Sequence, residues 1–136
     1  MKKHIVVFAF LSICNSVIGQ TMEKEDLYGI WQVEKNLTET TDPNFKELIE
    51  GFLVSTFRFE ENGTFEMNSP NKSKLFLMTL EMIKNKKWKF DHYRQLIKIG
   101  SEKDSFSIMG IFVKEKSGKI IFQVSESNLE FEMVKI

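Results

Sequence analysis

The stretch that decides the fold is LYGIWQVEK, residues 27–35 of a chain of 136 residues. From Gly29 onward the side chains alternate, with Trp31 and Val33 on one side and Gln32 and Glu34 on the other. Alternation with a period of two predicts a β-strand that buries one face. The prediction is therefore a first strand that begins near Gly29 and places Trp31 inside the domain.

A β-hairpin is predicted in TFRFEENGTFEMN, residues 56–68. A two-residue turn at Asn62-Gly63 would set Phe59 opposite Glu66, which mixes an apolar and a charged side chain on one face. A three-residue loop, 61–63, instead pairs Phe59 with Phe65 and places all apolar residues on the same face. We therefore predict this loop, with Gly63 in the left-handed region.

Five further runs have the character of strands, namely KKWKF, QLIKIG, SFSIMGIFVKE, KIIFQVS and NLEFEMVKI. Together with the first strand and the hairpin they make eight strands separated by short turns, which is typical of a sandwich or a barrel. A closed barrel leaves no strand edge exposed, so closure is favoured. The predicted class is all-β with one or two short helices: an eight-stranded antiparallel up-and-down β-barrel.

Two segments are predicted as helices. The first follows a cap at Thr41 or Asp42 and Pro43, and its apolar residues form one stripe, with Gly51 facing away from it: Phe45, Leu48, Ile49, Phe52 and Leu53. The second would start at Ser69-Pro70 and stop at Asn85. One face of this helix would consist of Leu75, Phe76, Thr79, Leu80 and Ile83. Leu77, Met78 and Met82 make the segment apolar on all sides, so a buried strand over residues 74–82 is the alternative to the helix.

Residues 1–19 are predicted to be a secretory signal peptide, and residues 20–136 the barrel domain. A basic start precedes an apolar run too short to span a bilayer, and a cleavage site before Gln20 follows. Lipid anchoring through Cys14 is not expected, because the large Ile13 precedes it. The predicted location is the periplasm or the extracellular space, and the mature domain would hold no cysteine.

The charge of the predicted mature domain excludes some classes of partner. Removal of Lys2 and Lys3 leaves 17 basic against 19 acidic residues, a net charge of −2. We therefore expect no nucleic-acid partner, and we interpret the basic run KNKKWK, residues 84–89, as a solvated loop and strand face. No transmembrane segment is predicted in the mature domain, and a monomer is expected.

Catalytic and metal chemistry are not predicted. The mature domain would contain one histidine, His92, and no cysteine, which does not make a usual transition-metal site. Asp91 adjoins His92, but neighbouring residues point apart, and the nucleophile motif Gly-x-Ser-x-Gly is absent. We therefore expect a non-enzymatic protein without a cofactor.

The Gly29-Ile30-Trp31 motif at the head of the first of eight strands resembles the lipocalins and the wider calycin group. The hairpin FRFEENGTF and the later WKF resemble small, exported bacterial lipocalin-like domains. The resemblance implies a barrel floor made by Gly29, Trp31 and Lys135, where the basic residue would cover the Trp ring. Lysine stands here in the place of the usual arginine.

The function expected from this resemblance is non-catalytic binding of a small apolar or amphipathic ligand. The interior candidates are Trp31, Val33, Phe57, Phe59, Phe65, Met67, Trp88, Phe90, Phe122, Phe131 and Met133. These side chains could line a cavity or fill a solid core, since a barrel of eight strands is barely wide enough for its own side chains. The alternative function is a solid scaffold that acts as a protein-interaction, inhibitor or immunity-type module, which an exposed apolar patch on residues 75–83 would favour.

Overall fold

The computed structural model describes residues 21–39, 42–71 and 73–136. The predicted signal peptide (1–19), the cysteine at position 14, the cleavage site before Gln20 and the cap candidate Thr41 lie outside these residues and stay predictions. The described chain starts with a short 3-10 helix, Lys24–Leu27, which leads directly into the first strand.

Eight strands form one antiparallel sheet: β1 (Gly29–Asn36), β2 (Thr56–Phe59), β3 (Phe65–Asn68), β4 (Lys87–Asp91), β5 (Leu96–Gly100), β6 (Met109–Lys116), β7 (Lys119–Val124) and β8 (Glu130–Lys135). Their order in the sheet is β3-β2-β1-β8-β7-β6-β5-β4. Strands that follow one another in the chain are paired, except β3 and β4, and the first strand also pairs with the last. The outer strands meet at a single bridge, Thr64 to Lys87. The result is a nearly closed up-and-down barrel, which confirms the predicted fold class.

The two outer strands stay together over a short distance only. The Phe65 N–H donates to the Lys86 carbonyl (3.1 Å), and the Trp88 N–H donates to the Gly63 carbonyl (2.9 Å). Beyond Phe65, the side of β3 that faces away from β2 has a helix beside it, and no strand of the described residues pairs there. We call this gap between β3 and β4 the seam.

The hairpin of β2 and β3 has the predicted register. Phe59 pairs with Phe65 and Phe57 pairs with Met67. The Glu60 N–H donates to the Thr64 carbonyl, and Gly63 has a φ of 92°. The three-residue loop with a left-handed glycine is therefore confirmed.

Two helices occupy the β1–β2 and β3–β4 connections: α1 (Pro43–Leu53) and α2 (Lys74–Ile83). The Asp42 carboxylate caps α1 by accepting the Asn44 N–H at 2.9 Å, as one of the two predicted caps. In an up-and-down barrel both connections lie at the same end. Trp31 and the 3-10 helix lie at the opposite end, which we call the floor.

The second helix begins later than predicted. Its cap is Ser73, whose hydroxyl accepts the Phe76 N–H at 3.3 Å. Ser69 and Asn71 instead make successive turns, since the Asn71 N–H donates to the Ser69 hydroxyl and the Ser73 N–H donates to the Asn71 side chain. The helical interpretation of this segment is confirmed, and the strand alternative is wrong.

One detail of α1 was predicted wrongly. Gly51 does not face away from the apolar stripe but is buried where α1 crosses α2, and an added Cβ would overlap the Phe76 ring. A glycine here allows the two helices to approach closely.

Within residues 21–39, 42–71 and 73–136, none of the helices is long and apolar enough to cross a bilayer.

Candidate functional site

The predicted interior residues lie where the sequence placed them. Nine of the eleven are buried, and the other two are partly buried and pack against the same core. The buried ones are Trp31, Val33, Phe57, Phe59, Phe65, Trp88, Phe122, Phe131 and Met133, and the partly buried ones are Met67 and Phe90. The period-two argument therefore assigned the faces of these strands correctly.

These aromatic rings are in contact with one another from the floor to the helices. The Trp31 ring lies 5.5 Å from Phe122, and Phe122 lies 6.1 Å from Phe57, measured between centroids. Phe52 of α1 stacks on Phe57 at 6.0 Å and meets Phe76 of α2 edge-on at 5.4 Å. The middle of the barrel is thus filled by side chains, and the two helices close its upper end with further rings.

Further interior residues were missed by the sequence reasoning. They are Leu27, Ile97, Ile99, Ile111, Val113 and Leu129, all buried. The residues of β5 and β6 carry the same alternation as the other strands, so this signal was available. In α2 the helical spacing placed Phe76 and Ile83 on one face together with Leu75; Phe76 and Ile83 are buried, whereas Leu75 is exposed.

The floor brings together Gly29, Trp31 and Lys135. The indole N–H of Trp31 donates to the Leu27 carbonyl at 2.9 Å, while Lys135, its partner across β1 and β8, places Nζ 5.2 Å from the ring centroid. The same ammonium donates to the Asp26 carbonyl at 2.7 Å. Gly29 has a φ of 121°, and an added Cβ would lie 3.5 Å from the Lys135 side chain. The strand, the basic residue and the 3-10 helix are thereby held together at one point.

The Trp88 side chain connects the two sides of the seam from within the core. It is 2% exposed, its ring meets Phe59 at 5.2 Å, and its indole N–H donates to the Glu60 carbonyl at 2.9 Å. The Trp88 side chain on β4 therefore binds the end of β2 across the seam, where the backbone ladder is short.

A pocket of about 400 Å³ lies in the upper part of the seam, between β3 and α2. Its inner wall consists of Phe65, Met67, Leu80 and Ile83, which belong to the core or pack on it. Its remaining lining is Glu66, Asn68, Leu77, Glu81, Lys84 and Asn85. We call it the seam pocket. Half of the lining residues are apolar and half are polar or charged, and the volume is at the lower end of the range of small-molecule sites.

The strand edge adds backbone polar groups to the seam pocket. Phe65 directs its N–H across the seam to Lys86, and backbone groups two residues apart in a strand point to the same side. The N–H and C=O of Met67 therefore also face the seam, where no strand accompanies β3. They give the seam pocket one donor and one acceptor beside its apolar wall.

Two other pockets are less suited to an apolar ligand. One of about 330 Å³ has the charged side chains Arg94, Lys98 and Glu126 in its lining. Another of about 450 Å³, between the end of β1 and the start of α1, has the charged side chains Asp42, Lys46 and Glu50 in its lining. The seam pocket is therefore the best-defined candidate site.

His92 and Asp91 do not form a catalytic pair. The exposed His92 places Nε2 3.2 Å from the Glu23 carboxylate, while the Asp91 carboxylate accepts the backbone N–H of Arg94 at 3.1 Å. In the part of the chain that the structure describes, no three His, Cys, Asp or Glu side chains are grouped in a way that could hold a metal ion.

One carboxyl group, of Asp104, and one hydroxyl group, of Tyr28, have pKa values displaced from their ordinary values. Hydrogen bonds lower the pKa of Asp104, first from the Ser101 N–H and then from the Ser101 hydroxyl and the Ser107 N–H, with Lys86 adding to the effect. Partial desolvation raises the pKa of Tyr28, with help from Glu25 and Glu61. Neither Asp104 nor Tyr28 lines the seam pocket, so these pKa shifts do not bear on ligand binding there.

Comparison of the chain with protein-family models, with curated proteins and with solved structures finds no match.

Proposed function

We propose that this protein is a lipocalin-like, non-catalytic binding protein that takes a small apolar or amphipathic ligand in its seam pocket. The observation that carries the proposal is the 400 Å³ pocket, with an apolar inner wall and charged groups at its rim. Because the middle of the barrel is filled with rings, the ligand site is placed at the wall of the barrel and not at its centre.

The lipocalin-like assignment is supported by the floor. A 3-10 helix precedes β1, the Trp of the Gly-x-Trp motif is buried beside it, and a basic residue of the last strand lies over the Trp ring. The lysine ammonium at 5.2 Å can make a cation–π contact, although it lacks the planar stacking of an arginine. Export of the domain, proposed from residues 1–19, would place the seam pocket outside the cytoplasm.

The test uses 8-anilinonaphthalene-1-sulfonate, an apolar anion that becomes fluorescent in apolar sites. We expect saturable binding to the chain 20–136. Leu77→Glu should weaken it at least about tenfold, because a carboxylate placed against an apolar wall and an anionic probe costs more than about 1.4 kcal/mol. Leu77 lines the seam pocket and is 45% exposed, so the domain should still fold.

Tyr93→Glu is the control. Tyr93 lies in the β4–β5 turn, is 99% exposed and does not line the seam pocket, so binding should be unchanged. Equal affinity of the Leu77→Glu and Tyr93→Glu variants, or the absence of saturable binding to the parent, would reject the seam pocket as a ligand site.

The scaffold hypothesis is supported by a different observation. The apolar patch that it requires is present, since Leu75, Leu77, Met78 and Met82 are all exposed on α2. Of these four residues, only Leu77 also lines the seam pocket.

A further inference from the structure

The second helix is apolar around its circumference, but only one side of it is covered. Phe76 and Ile83 are buried in the core, whereas Leu75, Met78 and Met82 are 37%, 58% and 59% exposed. Spacings of three and four residues place the three exposed side chains on one side of the helix, and we call them the outer stripe. A helix that is apolar all round is normally covered on all sides, so the outer stripe indicates a surface that covers it.

Lysines stand at both ends of the outer stripe. Lys74 begins the helix, Lys84 follows its last residue, and Lys87 comes shortly after; all three are exposed. The ion pairs among the described residues involve Arg58, His92 and Lys119 as the bases, so none of these three lysines is neutralised by one. Glu81 is the one acidic residue on the helix. The ends of the stripe are therefore cationic and complement a negatively charged partner.

A second copy of the chain does not fit this pattern. An antiparallel pair of α2 helices would bring Lys74 of each copy towards Lys84 of the other, and a parallel pair would oppose identical lysines. Like charges in such positions are unfavourable. The stripe also lacks the Trp, Tyr and Arg side chains that dominate binding energy in protein interfaces.

An anionic lipid surface fits the same features. Flexible leucine and methionine side chains enter an irregular apolar layer readily, and flanking lysines reach headgroups while their stems lie along it. We propose that α2 docks on an anionic lipid surface, with the outer stripe in the acyl boundary and Lys74, Lys84 and Lys87 at the headgroups. Leu75, Met78 and Met82 do not line the seam pocket, so the outer stripe is separate from the proposed ligand site, although Lys84 lies at the rim of that pocket.

The experiment is flotation of the chain 20–136 with vesicles of equal parts phosphatidylglycerol and phosphatidylcholine, at low salt. We expect the protein to float with these vesicles, to stay behind with pure phosphatidylcholine, and to be released by high salt. Met78→Glu with Met82→Glu should reduce binding at least about tenfold. Lys74→Gln and Lys87→Gln should each weaken it about fivefold, the effect of one lysine near such a surface.

The control is Tyr93→Glu, which adds one negative charge, as each methionine change does, at a side chain that is 99% exposed in the β4–β5 turn. Its binding should equal that of the parent. The proposal is overturned if the anionic vesicles do not capture the parent, if the double methionine variant still floats, or if pure phosphatidylcholine binds equally well. Sedimentation that shows a dimer abolished by the methionine changes, without vesicle binding, would assign the stripe to self-association instead.

Discussion

At the scale of single residues, Trp31 of the Gly-x-Trp motif is buried at the floor, as the motif predicted. Its ring is 4% exposed, contacts Phe122 and donates its N–H to Leu27. Trp31→Ala removes these contacts and leaves a cavity, so it should lower the free energy of unfolding by about 3–5 kcal/mol. This is a large part of the roughly 5–15 kcal/mol that stabilises a typical domain.

Denaturant titration followed by the fluorescence of Trp88 measures this change. Trp31→Phe keeps most of the ring but loses the hydrogen bond, and it should cost less. Tyr93→Ala is the surface control, because Tyr93 is 99% exposed, and it should stay within about 0.5 kcal/mol of the parent. A cost below about 1 kcal/mol for Trp31→Ala would contradict the floor described above.

Gly51 gives a second prediction at this scale, in which two effects oppose each other. Alanine in place of glycine favours a helix by about 0.5–1 kcal/mol. The new methyl group would overlap the buried Phe76 ring, however, and overpacking costs about 1–3 kcal/mol. We expect Gly51→Ala to lower the melting temperature.

The control for this prediction is Glu50→Ala, at an exposed neighbour on the same helix. Gly51→Ala combined with Phe76→Leu should show favourable coupling, since the smaller side chain makes room. A Gly51→Ala variant that melts above the parent would show that the crossing of α1 and α2 is looser than described.

At the scale of the elements, the β5–β6 connection is organised by one carboxylate. Asp104 accepts the Ser101 N–H at 3.0 Å, the Ser107 N–H at 3.1 Å and the Ser101 hydroxyl at 2.8 Å. These bonds hold a turn in which Ser105 and Phe106 both have positive φ values. The carboxylate therefore offsets backbone conformations that few residues adopt freely.

Asp104→Asn should destabilise the protein in a pH-dependent way. The folded pKa of Asp104 lies below its ordinary value of 3.8, so the charged carboxylate stabilises the fold above that pH. This stabilisation is lost as the pH falls through the lowered pKa. The difference in free energy of unfolding between parent and variant should be constant near neutrality and shrink below pH 3.8.

Urea titrations at several pH values measure this difference. Glu102→Gln is the control, because Glu102 is exposed in the same turn and its side chain makes none of the three bonds. A difference that is the same in acid and at neutral pH would contradict a role for the Asp104 charge.

The elements also show what can be read from sequence and what cannot. The eight strands, the hairpin register and the first helix cap follow from local patterns: alternation, the position of Gly63, and Asp42 before Pro43. The orientation of Gly51, the late start of α2 and the Asp104 turn depend on contacts between distant segments. The seam pocket was not predicted for the same reason, since it exists only where α2 replaces a strand beside β3.

At the scale of the whole molecule, a prediction concerns export of the protein and removal of residues 1–19. The basic start and apolar run of residues 1–19 predict export and cleavage, so the mature protein should begin at Gln20. N-terminal sequencing of protein produced from the full chain would establish this. A chain without residues 1–19 is the control and should stay in the cytoplasm, and a mature protein that retains Met1 or carries a lipidated Cys14 would contradict the prediction.

The short contact across the seam has one more consequence, which concerns the connectivity of the chain. Since β1 pairs with β8, the sheet read from β4 to β8 and then from β1 to β3 is an unbroken meander that starts and ends at the seam. Joining Ile136 to Thr21 by a linker and opening the chain at residues 69–71 would keep all the strand ladders and make sequence order equal to spatial order. The barrel is in this sense a circularly permuted linear sheet, and its natural point of opening is the connection that carries α2.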